Sequence, residues 1–455
     1  MTRLTEQLAR FASRPPFSQA PDSAGRLIRN GFIDTIATMI AGRNEAVVGI
    51  VRQHVGARRS TAGEASVLLS AERVVSQDAA LINATAAHAL DYDDVALAGH
   101  PSAVLVPALL AEGEATGASG ADLLRAYLVG YEVWADLVNR DADPYHLKGW
   151  HPTAVFGTVA AAAAIANLRQ LGVETSGHAI ALAASMAAGL VANFGTMAKP
   201  FHAGRAASSA VEAAHLAMRG MTASADAIEH HAGFLKAVSP KGNLDLERSA
   251  EGLGQALRIL ESGLSVKKYP TCYATHRVID AVIDLARNGN VQPDDVSSVH
   301  ATVGVAQASM LRNHTPVSAL EAKFSLEFAV ASALVAGAVG LAQLSDEFVS
   351  SQPVRSAMRK VEISTVDTTC PIDPTFAFSD RVRMRLADGT LLDSGEIRFA
   401  RGNAKLPLGE RELRGKFFDC VEGAEHIDAA ALYARLAGLD AVRNIGELAR
   451  EPALT

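Results

Sequence analysis

Six residues of this chain combine reactive side chains with positions at breaks between long apolar segments: Asp93, His100, His151, Lys199, Lys268 and His276. Asp93 and His100 lie in the stretch Asp91-Tyr92-Asp93-Asp94-Val95-Ala96-Leu97-Ala98-Gly99-His100-Pro101, with His88 just upstream. His151 precedes a second proline, Pro152, and Lys199 falls in a segment, 193–205, that also holds Gly195, Pro200, His202 and Gly204. Brought together, these groups form a pocket with one or two cations, several imidazoles and a carboxylate. Such a pocket suits proton abstraction at a carbon next to a carboxylate, because cations stabilise the dianion that develops while an imidazole or carboxylate takes the proton. Elimination of water additionally needs an acid for the leaving hydroxyl, and His and Lys can both be tuned toward neutral pH by burial and neighbours.

The elements that must position these groups are mostly helices. An apolar stripe through Ile28, Phe32, Ile33, Ile36 and Ile40 predicts a helix over 22–42, and further helices are expected over 46–55, 77–90, 104–116, 123–138, 154–168 and 177–192. On a helix, His88 and Asp91 would share a face, as would Asp91 and Asp94. Pro101 ends helical geometry before it and leaves His100 on a loop near a helix end. The 193–205 segment reads as a turn, with helix resuming over 206–218. A helix followed by a loop is expected over 223–254. Tyr127, Tyr131 and Trp134 are spaced for one face and read as core.

Strand signals begin only after Ser265. Alternation predicts strands over 297–306, 361–366 and 381–386, a hairpin turn at 387–390 and a last strand over 391–399, with a helix over 321–341 between the first two. Helical patterning returns over 408–420, 429–437 and 442–450. The fold expected is mainly α: a large all-helical bundle domain, discontinuous over 1–264 and 401–455, with a smaller inserted α+β lid domain over 265–400.

The chain has 455 residues, 49% of them hydrophobic but only 5% aromatic, so its core is built from Ala, Val and Leu. That length predicts two or three domains. A formal net charge of −7 offers no footprint for nucleic acid. Cys272, Cys370 and Cys420 are too few and too scattered for a disulfide framework or a structural zinc site, which fits a reduced cytoplasm. The N-terminus reads as an amphipathic helix, not a secretory signal, and the apolar run 328–344 as a buried helix, not a membrane span. No GxGxxG follows a strand, and Walker A, HExxH and GxSxG motifs are absent from the sequence, which argues against a nucleotide enzyme, a zinc protease and an α/β-hydrolase. Two other classes remain open: a metal-dependent hydrolase using His88, Asp91, Asp94 and His100, and a non-catalytic protein that binds polycarboxylates.

Taken in order, Leu90-Asp91-Tyr92-Asp93-Asp94, Gly99-His100-Pro101-Ser102, His151-Pro152-Thr153, Ala198-Lys199-Pro200-Phe201-His202-Ala203-Gly204, the run from Lys268 to His276, and Glu321-Ala322-Lys323-Phe324-Ser325 resemble the MmgE/PrpD superfamily over nearly the whole length. That resemblance implies 2-methylcitrate dehydratase, cis-aconitate decarboxylase or iminodisuccinate epimerase chemistry on a small polycarboxylate, without metal or organic cofactor, in a cytoplasmic homodimer. It places the family's active-site aspartate on Asp93, its loop histidines on His100 and His151, its lysine on Lys199, its later histidine on His276 and a substrate-binding cation on Lys268. On this basis Lys199 and Lys268 would face carboxylates, His100 or His151 would act as acid or base, and Asp93 would orient an imidazole. A 2-methylcitrate dehydratase-like hydro-lyase is the first expectation. Epimerase and decarboxylase chemistry stay open, since Val95 stands where many members carry threonine.

Overall fold

A computed structural model describes residues 3–56, 63–141, 143–372 and 375–448. The chain forms two compact units: residues 1–266 together with 409–455, and residues 267–408. Helix dominates, and the fold is mainly α with one small sheet-bearing unit.

The first unit is a helical bundle: α1 (Leu4–Ser13), α2 (Asp22–Ala41), α3 (Ala46–Gly56), a two-residue hairpin of β1 (Ala65–Ser66) and β2 (Arg73–Val74), α4 (Ser76–Ala89), α5 (Pro101–Thr116), α6 (Gly120–Val138), α7 (Pro152–Leu168), α8 (Val173–Met186), α9 (Ala198–Met218), and the short α10 (Phe234–Val238) and α11 (Arg258–Ser262). Its centre is α7, all 17 residues of which are buried, six of its last nine being alanine. A helix that is apolar all round belongs inside, and small side chains let its neighbours approach closely. Tyr127, Tyr131 and Trp134 of α6 are fully buried, as their spacing predicts.

Three sequence expectations change here. Helix α9 begins at Ala198, eight residues before the expected start, so Lys199, Pro200 and His202 are helical. Proline is tolerated in a first turn because its missing N–H has no intrahelical partner there. Gly204 serves packing, not a turn: a Cβ at that position would lie 2.1 Å from Thr85 Oγ1 and 2.6 Å from the Leu81 carbonyl, so it lets α9 lie against α4. Second, α8 stops at Met186, and the chain runs extended so that Trp150 pairs with Leu190 and the His151 amide donates to the Gly189 carbonyl at 2.9 Å. Third, 223–233 folds as turns, with His230 Nδ1 accepting from the Ala232 amide, a local bond that competes with helix.

The second unit holds α12 (His276–Gly289), β3 (Val296–Gly304), α13 (Val305–Met310), α14 (Ala319–Ala322), α15 (Leu326–Ala336), α16 (Asp346–Ser350), α17 (Gln352–Met358), β4 (Val361–Val366), β5 (Arg381–Leu386) and β6 (Leu391–Asp393). The sheet order is β4-β3-β5-β6, parallel between β3 and β4 and antiparallel elsewhere. Val299, Ala301 and Val303 of β3 pack with Val278 and Val282 of α12 and Val382 and Met384 of β5. The single helix expected over 321–341 is broken, because Ser325 caps a new start by accepting from the Phe328 amide, and Gly337, at φ 63°, ends it. The strand expected over 391–399 is only three residues long, since the chain turns at Gly395, φ 66°.

Two last helices, α18 (Glu410–Val421) and α19 (Ala429–Ala437), return to the first unit. Of the helix expected over 442–450, a 3-10 turn at Ile445–Glu447 forms, and 449–450 lie outside the described residues. Among the described residues no helix is long and apolar enough to cross a membrane.

Candidate active site

Four buried helices deliver side chains to one place in the first unit. His88 is in the last turn of α4, and His100 and His151 are the N-cap residues of α5 and α7. Lys199 and His202 occupy the first two turns of α9. Both His-Pro pairs are thus the same local device: proline at the first helical position, with its fixed φ, sets the helix start and places the histidine at its mouth. The two starts are joined, since the His100 amide donates to Thr153 Oγ1 at 3.2 Å. Gly99 makes room for this, because a Cβ there would lie 2.9 Å from the Trp134 ring and 3.1 Å from the Thr153 nitrogen.

Between α4 and α5 the chain leaves helical geometry. Asp91 has φ 53°, and Leu97 and Ala98 have φ 51° and 59°, left-handed conformations that cost side-chain-bearing residues about 1–2 kcal/mol each. The shared helix face expected for His88, Asp91 and Asp94 is therefore not formed. Instead, Asp93 points back between two imidazoles. Its Oδ1 accepts from His88 Nδ1 at 3.0 Å, and its Oδ2 lies 2.9 Å from His100 Nδ1. Asp93 and His88 are fully buried, and His100 is nearly so. Burial opposes ionisation of Asp93, but the positive charge and hydrogen bonds of His88 and His100 outweigh it and hold the carboxyl well below the usual carboxylate range. His88 itself is pushed down to about 4, first by burial and further by Lys199 and His100, against the pull of Asp93. With both Nδ1 atoms turned to one carboxylate, each ring offers Nε2 as its remaining nitrogen, and His88 Nε2 has no hydrogen-bond partner among the described residues.

The neighbouring carboxylate, Asp91, forms a close ion pair with Lys199, and its Oδ1 lies 3.8 Å from His100 Nε2. The Lys199 ammonium also sits 5.4 Å from the centroid of the Phe194 ring. His151 stacks on His88 with 5.8 Å between centroids, meets the edge of Phe194 at 4.8 Å and places its Nδ1 3.2 Å from His202 Nδ1. Burial, then the proximity of His88, Lys199, His100 and His202, hold His151 well below the ordinary imidazole range. Burial and the same cationic surroundings push His202 down to about 4, and burial with Lys199 does so for His146. At neutral pH these three rings are uncharged.

Of the six residues singled out in the sequence, four meet here: Asp93, His100, His151 and Lys199. Lys268 and His276 belong to the second unit. There His276 is buried, its Nε2 3.3 Å from the Thr271 carbonyl and its ring against Tyr269 and Tyr273. Sequence reasoning did not assign Asp91 as the partner of Lys199, nor His202 as the partner of His151; the signal for His202 was its place three residues after Lys199, one face of a helix starting earlier than expected. The metal-ligand set His88, Asp91, Asp94 and His100 is not gathered, because Asp91 turns to Lys199 and Asp94 accepts a close hydrogen bond from Ser102 Oγ. His88, Asp93 and His100 do present one ligand atom each within 4.8 Å of one another.

The whole arrangement lies where the N-terminal ends of α5, α7 and α9 meet, each carrying roughly half a positive charge from its peptide dipoles. With Lys199, these ends favour an anionic ligand, and the neutral imidazoles can exchange a proton with it.

Comparison with known proteins agrees. The MmgE/PrpD N-terminal domain matches residues 6–247 and the MmgE/PrpD C-terminal domain matches residues 269–434. Cis-aconitate decarboxylase of Mus musculus is 29% identical over 353 residues, covering 74% of this chain and 70% of its own. The Homo sapiens protein of that name is 29% identical over 357 residues, covering 74% and 71%, and that of Aspergillus terreus 25% over 444 residues, covering 90% and 86%. With both domain models matched in order along its length, the chain belongs to the MmgE/PrpD family.

Proposed function

We propose that this protein is a lyase acting on a small polycarboxylate, and that decarboxylation of cis-aconitate or a close analogue is its reaction. The observation that carries this reading is the placement of a lysine and three helix N-termini around imidazoles, two of them facing a buried carboxylate. The names of the relatives favour decarboxylation over the 2-methylcitrate dehydration expected first from the sequence.

In the proposed reaction the carbon–carbon bond to the carboxylate on the saturated carbon breaks and carbon dioxide leaves. The electron pair forms a new terminal double bond, the existing double-bond pair moves to the carbon beside a second carboxylate, and a proton is added there. Lys199 and the helix ends stabilise the charge as it spreads toward that carboxylate. Asp93 Oδ2 faces His100 Nδ1 at 2.9 Å and so leaves Nε2 as the atom that exchanges the proton, an arrangement like that by which a buried carboxylate orients a histidine elsewhere. His151, neutral in the free protein, gains proton affinity when an anionic ligand offsets the surrounding positive charge, and serves as the second proton carrier. Lys268 and His276 enter this reading from the family pattern, with Lys268→Ala expected to raise KM.

The test is proton NMR in deuterated water with cis-aconitate, 2-methylcitrate, citrate and iminodisuccinate supplied separately. Deuterium in a new methylene and release of carbon dioxide from cis-aconitate support the proposal. An alkene formed from 2-methylcitrate alone reassigns the enzyme as a dehydratase, exchange at a stereocentre without net reaction as an epimerase, and tight binding without turnover as a binding protein. The two-histidine, one-carboxylate set His88, Asp93 and His100 favours a second reading, a metal-dependent reaction. Loss of turnover with chelator and recovery with a divalent metal would establish it.

A further inference from the structure

The segment Asp91–Asp94 alternates. Asp91 and Asp93 turn to Lys199 and to His88 and His100, while Tyr92 and Asp94 turn to a different set of buried groups. The Asp94 carboxylate accepts from Ser102 Oγ, which lies 2.7 Å from Tyr127 Oη. Tyr92 meets Lys416 of α18: Nζ donates to the Tyr92 carbonyl at 2.7 Å and lies 3.8 Å from the centroid of its ring. The same ammonium pairs with Asp34 of α2 at 2.5 Å. Lys416 is 6% exposed, Tyr92 7% and Asp34 fully buried, so the three-way contact is shielded from water and from salt. The carbonyl that Lys416 holds belongs to the peptide linking Tyr92 to Asp93, and Asp91 is the next residue on the other side.

We propose that Lys416 is a positioning residue for the loop that carries Asp91 and Asp93. It acts by fixing the peptide between the two carboxylates. A loop with a left-handed Asp91 needs such restraint, because nothing intrinsic to aspartate favours that conformation over the alternatives. A second tether acts at the next turn of the chain, where Val95 and Ser265 exchange backbone hydrogen bonds of 2.8 and 2.9 Å. Ser265 lies two residues before the second unit and Lys416 eight residues after it, so the chain on either side of that unit in sequence holds the Tyr92–Val95 segment. A small displacement of reacting groups costs catalysis steeply while leaving ligand affinity largely intact.

This inference rests on the reading of the Asp93 cluster as the active site, and its test separates the two. Replacing Lys416 alone would strand the Asp34 charge in the interior, so the variant is the double substitution Lys416→Met with Asp34→Asn. Two quantities are compared with the parent protein: kcat and KM on whichever acid the parent turns over, and amide hydrogen exchange followed on peptides covering 90–98 and on peptides from α7. The expected result is kcat lower by about 10- to 100-fold with KM within about three-fold, and exchange faster by at least ten-fold in 90–98 but unchanged in α7. Unchanged exchange in 90–98 overturns the proposal, as does equal acceleration in α7, which marks a merely structural role. Should the parent turn over none of the acids, the proposed function fails, and the exchange comparison still decides whether Lys416 holds the loop.

Discussion

The two histidine pairs of the site differ in one respect that sets their chemistry. His88 and His100 share a carboxylate, whereas His151 faces His202 and stacks on His88, with Phe194 and Lys199 nearby. The local devices that present His100 and His151 are the same, a histidine at the N-cap and a proline after it. What separates them is the residue opposite. Asp93 faces Nδ1 of both its rings, while His151, buried beside Lys199 and other imidazoles, is held well below the ordinary imidazole range. Within a few ångströms one protein thus holds a pair of imidazoles that face a buried carboxylate and a pair that face each other.

The strongest way to break this contrast is Asp93→Asn, which keeps the shape but replaces one acceptor oxygen by a donor. Turnover should fall by about 10³-fold or more while the melting temperature stays within a few degrees; a loss under ten-fold would mean that Asp93 does not orient the reacting ring. Comparing His151→Gln with His202→Gln sharpens the other half. His151→Gln should lower kcat by about 10²-fold and His202→Gln by roughly ten-fold or less, and equal losses would show that the pair acts as a unit. Separation of the two pairs can be probed through Gly204, whose missing Cβ lets α9 lie on α4. Gly204→Ala should destabilise the fold by about 1–3 kcal/mol in denaturant unfolding and lower turnover with it; a neutral result would contradict the close approach.

The smallest effect is read in pH. His88 has a folded-state value near 4 against an unfolded value of 6.5, so the unfolded chain binds more protons between those limits. Stability is therefore full above about 6.5 and lost as pH falls toward 4, at about 1.4 kcal/mol per pH unit for this ring alone. His146 and His202 add in the same direction. Melting temperatures measured from pH 7.5 to 4.5 should decline through that window, and the Asp93→Asn protein, whose His88 has lost its anion, should decline at least as steeply.

Much of this was legible in the chain. The His-Pro pairs announce helix starts from proline chemistry alone, and the stripe through Ile28, Phe32 and Ile36 locates α2 to within a residue of its ends. Alternation found three of the sheet's strands. What was not legible depends on contacts distant in sequence. Gly204 reads as a turn residue until Thr85 is seen against it, and only then do Lys199 and His202 become neighbours on a helix. The pairing of Asp93 with His88 follows from the left-handed turn at Asp91, which no periodicity predicts. The family models divide the chain at residues 247 and 269 and carry the second domain to 434, so α18 falls with the C-terminal domain in sequence and with the first unit in space. For that reason Lys416 gives no sign in the sequence of touching the loop.

The bond from Lys416 to Tyr92 spans 324 residues, and it bears on when the protein becomes competent during its synthesis. The helices around α7 can assemble as they leave the ribosome, since domains fold in the order in which they emerge. The Asp91–Asp94 loop cannot be completed then. It must wait until the whole second unit has been translated and α18 has returned, so a chain halted between residues 202 and 416 would carry His88, His100, His151 and His202 and still lack the site's finished form.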